Sequence, residues 1–423
     1  MANLSLYTKI FLSFLGVKII IQNYLDLRNV RSILKNKKTV PAEFSSVISS
    51  EEYKKNISYN LTKISFGKKV RTFNLLILLS WTMLGGLDLL TAIAFNATST
   101  TWINELLVFF SFGLINQMIS LPFDIYNQFV IEEKFGFNKS TYKLFFIDQL
   151  KGLLISALLG GPLIITILMF LKSFPNSWWV YSFVTIAVFQ LLIVYLYPTV
   201  IAPIFNKFKP LDNEEIQIEV SELLNKTGFE AKGIFVMDAS KRSGHGNAYF
   251  TGLGKQKRIV FFDTLLEQLA PKEIVSVLAH EIGHSKKNHI IKGIALSFLM
   301  LFLSFYLTHL ALNSSAFLTG HGLNSIYLPT QLILISLVFP LYSFFLTPIF
   351  NYLSRKNEFE ADEFAAKTTS ASNLISGLLN LYKHNLGNLT PDRIYSSFYH
   401  SHPPAAVRIN QLKSLEKKNS NKL

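Results

Sequence analysis

The amino-acid sequence predicts an α-helical integral membrane protein with a small α+β insertion. Half of its 423 residues are hydrophobic and only 16% are charged, a composition that points first to a membrane protein. Several apolar runs reach the roughly 20 residues that a helix needs to cross a bilayer. Long polar stretches separate some of these runs, so we expect one membrane bundle with soluble insertions rather than several soluble domains.

About seven apolar runs meet this length criterion. In chain order they cover residues 6–24, 73–95, 105–123, 150–171, 179–201, 290–312 and 328–352. Lys9 and Lys18 interrupt the first run, which a cleaved signal peptide would also explain. Because this run lacks a small-residue cleavage site and precedes a basic loop, we interpret it as a membrane helix.

The basic residues are distributed unevenly among the loops. The loops after the first, third and fifth runs and the C-terminal tail contain Lys and Arg, whereas residues 96–104 and 309–327 contain neither. The positive-inside rule therefore predicts that the N-terminus lies outside and that the fifth loop and the C-terminus lie in the cytoplasm. These loops account for the net charge of +14, and no aromatic-interleaved basic patch indicates a nucleic-acid partner.

These observations divide the chain into four parts. Residues 1–201 contain the first five spans, 202–289 a cytoplasmic domain, 290–352 the last two spans, and 353–423 a cytoplasmic C-terminal domain.

The first of the two cytoplasmic domains has an alternating α and β pattern. Residues 213–227 are predicted to form a helix, and residues 233–238 and 258–262 are predicted to form strands. The glycine-containing turn after residues 248–251 predicts a small hairpin with the second of these strands.

The sequence HEIGH at residues 280–284 has the pattern of a zinc metalloprotease helix. This helix is predicted to begin at Ala270–Pro271 and to place His280 and His284 on one face, where they share a metal ion. Zinc lowers the pKa of a bound water, and the Glu281 carboxylate takes its proton as attack begins. A coincidental match on an ordinary helix would occur in roughly one chain of this length in a hundred.

A catalytic zinc uses three protein ligands, and the third is predicted in the acidic segment at residues 357–365. The chain contains no cysteine, so the ligands are His and carboxylates. Glu358 would bind the metal, and Asp362 on the same helical face would orient a ligand imidazole. The alternative is a solvated acidic helix, a description that fits Glu360 and Glu363 better because they fall off this face.

Both metal-binding segments lie beside predicted spans, so we expect the zinc at the cytoplasmic end of the last two. Polar residues also occur in or beside the apolar runs. Such groups either face a wet cavity or form hydrogen bonds between helices, and the sequence leaves both readings open for Asp88, Glu105, Asn116, Gln117 and Asp124.

In order along the chain, these motifs resemble the integral membrane CAAX prenyl endopeptidase family of type I. Residues 131–139 (IEEKFGFNK) resemble a cytoplasmic loop of that family, and residues 238–249 and 257–266 resemble the segment before its zinc helix. The HEIGH sequence, the ExxAD motif at 358–362, and SHPP at 401–404 with Arg408 follow.

The resemblance implies seven helices around a water-filled intramembrane chamber and one zinc ion per chain near its cytoplasmic end. The implied ligands are His280, His284 and Glu358, with Glu281 as the base. Asn247 and His402 would lie near the catalytic site, where such side chains donate hydrogen bonds to a peptide or an oxyanion, and Arg408 would support it. The strand near Asn247 would hold the substrate by edge pairing.

We therefore expect a zinc-dependent membrane endopeptidase that acts on a peptide or protein substrate at the bilayer. Family specificity would make it remove the C-terminal tripeptide after an isoprenylated cysteine. A general quality-control metalloprotease is the alternative enzyme. A zinc-binding transporter-like protein would not explain the glutamate between the two histidines. Compact loops and the lack of an obvious retrieval tail favour a bacterial inner membrane over the endoplasmic reticulum.

Overall fold

Long apolar helices form most of the chain, and its computed structural model describes residues 4–251, 258–325 and 327–420. Within these ranges six helices are long and apolar enough to cross a membrane, and a helix pair bent by 56° brings the number to seven. All seven predicted spans lie within these helices. The prediction of a multi-pass membrane protein is confirmed.

The first five spans are built from eight α-helices. They are α1 (Leu6–Lys35), α2 (Ser50–Trp81), α3 (Gly86–Phe95), α4 (Thr101–Tyr126), α5 (Glu133–Phe135), α6 (Tyr142–Ser173), α7 (Trp178–Leu196) and α8 (Ala202–Phe205). Short π-helical segments, Asn127–Glu132 and Tyr197–Ile201, join α4 to α5 and α7 to α8. The bend between α2 and α3 depends on glycine: Gly85 has a φ of 76°, and a Cβ on Gly86 would lie 2.6 Å from the Ser80 carbonyl oxygen.

The segment after α8 forms a small sheet covered by helices. Its elements are β1 (Phe208–Pro210), α9 (Glu214–Thr227), β2 (Ile234–Met237), β3 (Ala248–Thr251), β4 (Arg258–Phe262), α10 (Asp263–Gln268) and α11 (Pro271–Lys286). The strand order is β1-β2-β4-β3, with β2 and β4 parallel and the other pairs antiparallel. The predicted helix and strands are present, and β3 lies at an edge. The predicted glycine turn of the hairpin falls outside the described residues.

The remaining elements return the chain to the membrane and then to the small domain. They are α12 (His289–Leu312), α13 (Ser315–Gly320), α14 (Leu328–Ser343), α15 (Thr347–Thr368), α16 (Ala371–His384), α17 (Arg393–Tyr399) and α18 (Ala405–Ser420). A 3-10 turn, Phe344–Leu346, joins α14 to α15. The seventh span therefore continues as helix into the segment that carries Glu358.

The core of the small domain forms around α11. Ile274, Leu278 and Ile282 recur at helical spacing and are at most 1% exposed, and burying each such side chain contributes about 1.5–3 kcal/mol. The start of α11 is fixed by Glu273, which accepts hydrogen bonds from Ala270 N at 2.9 Å and from Asn380 Nδ2 at 3.0 Å. This packing holds the HEIGH helix against α16 and the sheet.

The five polar residues of the membrane region all form hydrogen bonds with protein groups. The pairs are Asp88 with Ser325 N, Glu105 with Lys172, Asn116 with Trp81, Gln117 with Gln149, and Asp124 with Ser120. The first four pairs join different helices or a helix to a loop. These contacts favour hydrogen bonding between elements, one of the two readings that the sequence left open.

A cavity of about 1180 Å³ lies between the membrane helices. Trp178, Phe305 and Phe339 belong to its predominantly apolar lining. The resemblance implied a chamber within the membrane helices, and the lining of this cavity also includes the hydroxyl side chains of Ser304, Thr308 and Ser336.

Candidate metal centre

Three side chains from two helices, α11 and α15, converge next to the membrane helices. His280 Nε2 lies 3.2 Å from His284 Nε2 on α11. Glu358 on α15 places Oε2 at 3.4 Å from His280 Nε2 and Oε1 at 3.3 Å from His284 Nε2. Donor atoms around a tetrahedral zinc are about 3.3 Å apart, because each metal bond is about 2.0–2.1 Å long. The three residues therefore have the spacing of a metal site.

The hydrogen bonding of these groups also fits a metal ion. Glu358 Oε2 is buried and has no hydrogen-bond partner among the described residues. Leaving a buried carboxylate oxygen unpaired is costly. Nε2 of His280 and Nε2 of His284 face each other, and a shared cation satisfies both lone pairs where a single proton satisfies one.

His280 is held from behind by a buried ion pair. Its Nδ1 lies 2.9 Å from Asp362 Oδ1. Arg408 donates to both oxygens of Asp362, from Nε at 2.8 Å and from Nη2 at 2.6 Å. A proton on Nδ1 is thereby favoured, and the Nε2 lone pair is left for the metal. Arg408 is itself buried, and it also approaches the candidate ligands directly, with Nη2 at 3.3 Å from His280 Nδ1 and Nη1 at 3.7 Å from Glu358 Oε2.

His284 has a second support that the sequence analysis missed. Its Nδ1 lies 3.1 Å from His289 Nδ1, and His289 Nε2 lies 3.1 Å from Glu360 Oε2. Asn288 adopts a φ of 57° between α11 and α12, and this reversal brings His289 back to His284. Glu360 is therefore a partner of the centre, contrary to its interpretation as a solvated residue. Only the histidine shortly after HEIGH signalled this contact in the sequence.

Glu281 lies beside the ligands and is partly buried. Burial raises the pKa of its carboxyl group, since charge is disfavoured away from water. Burial also opposes protonation of His280, but the carboxylates of Asp362 and Glu358 outweigh this and raise the pKa of His280 to about 8. The metal-free site therefore carries a proton that a metal ion must displace.

Of the remaining predicted site residues, His402 contacts the centre, whereas the hydrogen bonds of Asn247 lie elsewhere. His402 is exposed, and its Nε2 lies 3.3 Å from Glu358 Oε1. Ser401 Oγ lies 3.1 Å from His402 Nδ1. Asn247 is exposed just before β3, where its side chain accepts from Ala248 N and its carbonyl accepts from Phe262 N of β4. None of those bonds joins Asn247 to the three ligands.

The IEEKFGFNK loop holds the segment that leads to Asn247. Gly244 N donates to Phe137 O at 2.9 Å, and the His245 ring stacks on Phe137 with centroids 3.9 Å apart. Glu132 in turn accepts from Lys63 Nζ at 2.8 Å and lies 3.4 Å from His245 Nε2. The segment before the edge strand is therefore connected to the membrane helices through Glu132. The sequence showed that this loop is charged, but it did not indicate that His245 would be the partner of Glu132.

Comparison with known proteins supports this architecture. Residues 29–207 match the family model of the CAAX prenyl protease N-terminal region with five membrane helices, and residues 210–416 match peptidase family M48. The chain is 34% identical to "CAAX prenyl protease 1 homolog" of Oryza sativa subsp. japonica, over 98% of this chain and 99% of that protein. It is 34% identical to "CAAX prenyl protease 1" of Saccharomyces cerevisiae, over 95% and 94%.

A solved structure has the same fold. The crystal structure of S. mikatae Ste24p matches with a TM-score of 0.89 at 32% identity, covering 96% of this chain and 99% of that one. The helices and the metal centre described above therefore belong to a fold that also occurs in that protein.

Replacing His289 with alanine is expected to weaken metal binding. The substitution removes the partner of His284 Nδ1, and losses of this kind lower metal affinity by about 10- to 100-fold. Chelator competition on the purified protein measures the affinity. Glu363→Ala removes a half-exposed carboxylate on α15 that pairs with Lys367 one turn away, and serves as the control. Equal affinity of His289→Ala and wild type would refute the support by His289.

Metal affinity is also expected to decrease as the pH is lowered. Below pH 8 His280 carries a proton that the metal must displace, whereas above pH 8 the imidazole is neutral. One competing proton weakens binding about tenfold per pH unit, so the loss from pH 8 to pH 6 approaches about 100-fold. Competition titrations corrected for the chelator's own protonation test this, and a pH-independent affinity would contradict it.

Proposed function

We propose that this chain, which belongs to peptidase family M48 and to its membrane-embedded CAAX prenyl protease group, removes the C-terminal tripeptide after an isoprenylated cysteine. It is a membrane metalloprotease, and the substrate is the proposed part. The observation that carries the proposal is the convergence of His280, His284 and Glu358, with Glu281 beside them, next to the membrane helices. The names of the relatives support the choice of substrate.

We propose zinc as the metal, with one ion per chain. Two imidazoles and a carboxylate, with no thiolate, form a common donor set of catalytic zinc sites. When bound, zinc polarises the scissile carbonyl and makes the attacking water more acidic. His280 and His284 are oriented for this role by Asp362 and His289 respectively.

The chain's own residues carry the proton transfers. Glu281 takes a proton from the attacking water and delivers it to the leaving amine. Its burial, which raises the pKa of the carboxyl group, makes the carboxylate a stronger base. The exposed His402 faces the cleft beside Glu358 and is assigned to donate to the oxyanion, with Asn247 as a second donor along the peptide.

The sheet supplies a place for the peptide backbone. β3 lies at the edge of the sheet and pairs with β4 on one side. An extended peptide adds to such an edge through main-chain hydrogen bonds. Asn247 directly precedes β3. A peptide paired with β3 therefore runs along that strand and passes close to Asn247.

The match over residues 29–207 favours this substrate over the general quality-control alternative, because that region corresponds to the membrane helices of CAAX prenyl proteases.

We propose that the N-terminus lies outside and that the metal centre and the C-terminus face the cytoplasm, because the positive-inside rule assigns loops rich in Lys and Arg to the cytoplasm. The membrane parts would be residues 1–201 and 290–352, and the cytoplasmic parts 202–289 and 353–423. The relatives compared above are eukaryotic, so they give no support to the bacterial source expected from the sequence.

Purified protein is expected to cleave a farnesylated CAAX peptide and to release the intact tripeptide. A chelator should abolish cleavage, and zinc should restore it. Glu281→Gln should lower kcat by at least about 10²- to 10⁴-fold, the range of general-base catalysis, while metal content stays at one ion per chain. Mass spectrometry identifies the cut, and metal analysis follows the ion.

The unfarnesylated peptide tests the substrate. Equal cleavage of both peptides would contradict the requirement for the isoprenoid. Full activity of Glu281→Gln would refute the assignment of the base, and cleavage at scattered positions would favour the quality-control alternative.

A tag at the N-terminus is expected to be reachable by an impermeant reagent from outside the cell or from the lumen. A tag at the C-terminus should require permeabilisation. Labelling of intact cells or vesicles measures both, and an N-terminal tag protected until permeabilisation would refute the topology.

A further inference from the structure

Arg355 lies one helical turn before Glu358 on α15 and has no role in the mechanism above. It precedes Glu358 by three residues on α15, so the two side chains share a helical face and are separated by about 4.5 Å along the axis. Arg355 is partly buried. Its Nη1 donates to the His400 carbonyl at 2.7 Å, two residues before His402. The guanidinium therefore borders the cleft on the side of Glu358 that leads to the membrane.

The charge of Arg355 is not balanced by a neighbouring acid. Four of the other seven arginines pair with aspartates: Arg28 with Asp392, Arg71 with Asp26, Arg242 with Asp148, and Arg408 with Asp362. Among the described residues Arg31 and Arg393 are exposed without an ion pair, and Arg258 lies over the Phe235 ring. Arg355 has no ion pair in the part of the chain that the structure describes. The sequence outside that part contains no Asp or Glu, so no acidic side chain is left to supply one.

A guanidinium stays charged in a protein. Removing part of it from water without an acidic partner is unfavourable. A site of this kind, beside a peptidase metal centre, calls for an anion that arrives with the substrate.

We propose that Arg355 binds the C-terminal carboxylate of the substrate peptide. This inference rests on the proposed function, in which three residues follow the scissile bond. Three extended residues span about 10 Å. Arg355 lies one helical turn, about 4.5 Å, before Glu358, and a long helical side chain leans towards the N-terminus and so away from Glu358, which leaves room for a short peptide segment between the two groups.

The donors of Arg355 suit a carboxylate. Arg408 shows the pattern in the same chain, because its Nε and Nη2 each donate to one oxygen of Asp362. Arg355 uses Nη1 for His400, and the same Nε and Nη2 pair remains for a bidentate contact. The hydrogen bond to the His400 carbonyl fixes the direction in which Nε and Nη2 of the Arg355 guanidinium point.

Recognition of the terminal carboxylate would set the position of the cut. With the carboxylate on Arg355 and the carbonyl of the prenylated residue at the metal, the chain between them accommodates three residues. A longer or shorter C-terminal segment misplaces either the carboxylate or the scissile bond. The specificity for a tripeptide then has a physical basis in the spacing between Arg355 and Glu358.

A purely positioning role is the competing explanation, since Arg355 also holds the loop before His402. The two roles respond differently to the substrate. A peptide with a C-terminal amide lacks the negative charge but presents the same scissile bond. Loss of a positioning residue slows both peptides in proportion, whereas loss of a carboxylate-binding residue affects the free acid selectively.

The experiment compares prenylated CAAX peptides as free acid and as amide, using the full-length zinc-loaded enzyme. The wild type is expected to favour the acid in kcat/KM by roughly 10- to 100-fold, the value of a charge-assisted hydrogen bond. In Arg355→Gln this ratio should fall towards one. Arg355→Lys, which keeps the charge without the fork, should retain an intermediate ratio. Lys356→Gln removes the neighbouring exposed charge and should keep the wild-type ratio.

The possible outcomes separate the two proposals. Equal wild-type cleavage of acid and amide would overturn the assignment of Arg355 and leave the proposed function intact. An unchanged acid-to-amide ratio in Arg355→Gln, with both rates reduced, would also overturn it in favour of positioning. Failure of the wild type to cleave either peptide would overturn the proposed function itself. If Arg355→Gln does not fold, Arg355→Lys decides the test. An acid-to-amide ratio of kcat/KM in Arg355→Lys equal to that of the wild type and of Lys356→Gln overturns the assignment.

Discussion

The close packing of α11 on α15 is the contact on which the site depends. Gly283 lies against Ala361, and a Cβ at Gly283 would approach the Ala361 Cα to 3.0 Å. This approach brings the histidines of one helix within about 3.3 Å of the carboxylate of the other, the separation that a tetrahedral metal requires. A glycine and an alanine at the crossing are therefore as necessary to the geometry as the ligands themselves, because bulkier side chains would separate the helices.

Several charged or titratable groups of the centre lie at buried positions, and this is stable only because each has a partner. Asp362 is 0% exposed and Arg408 is 6% exposed, and they form a two-point ion pair that also orients His280. Removing one member would leave a buried charge unpaired, at a cost of about 3–5 kcal/mol. Two groups depart from this pattern: Glu358 Oε2 accepts no hydrogen bond among the described residues, and Arg355 is partly buried without an ion pair there. The first faces His280, and the second precedes Glu358 by one helical turn.

The centre is also mechanically continuous with the membrane region. The last span runs through α14 and a short 3-10 turn into α15, so the helix that supplies Glu358 is anchored in the bilayer. On the other side, Glu132 connects Lys63 of α2 with His245 before β3. The metal ligand and the edge strand are therefore held by membrane helices from opposite ends of the sequence.

Local pattern alone determined a large part of this protein. The spans follow from hydrophobic length. His280 and His284 follow from a spacing of four residues on one helix, and Glu358 with Asp362 follows from the same periodicity on another, aided by the family resemblance. The tertiary structure decided the contacts between segments that are far apart in the sequence or that meet where the chain reverses direction. His289 reaches His284 only because Asn288 turns the chain back. Glu360 changes from a solvated residue to a partner of His289. Arg355 becomes notable only when every neighbouring acid is known. A sequence specifies which groups share a helix face. The neighbours of a charged group, which set the free-energy cost of burying it, are defined only once the helices have packed.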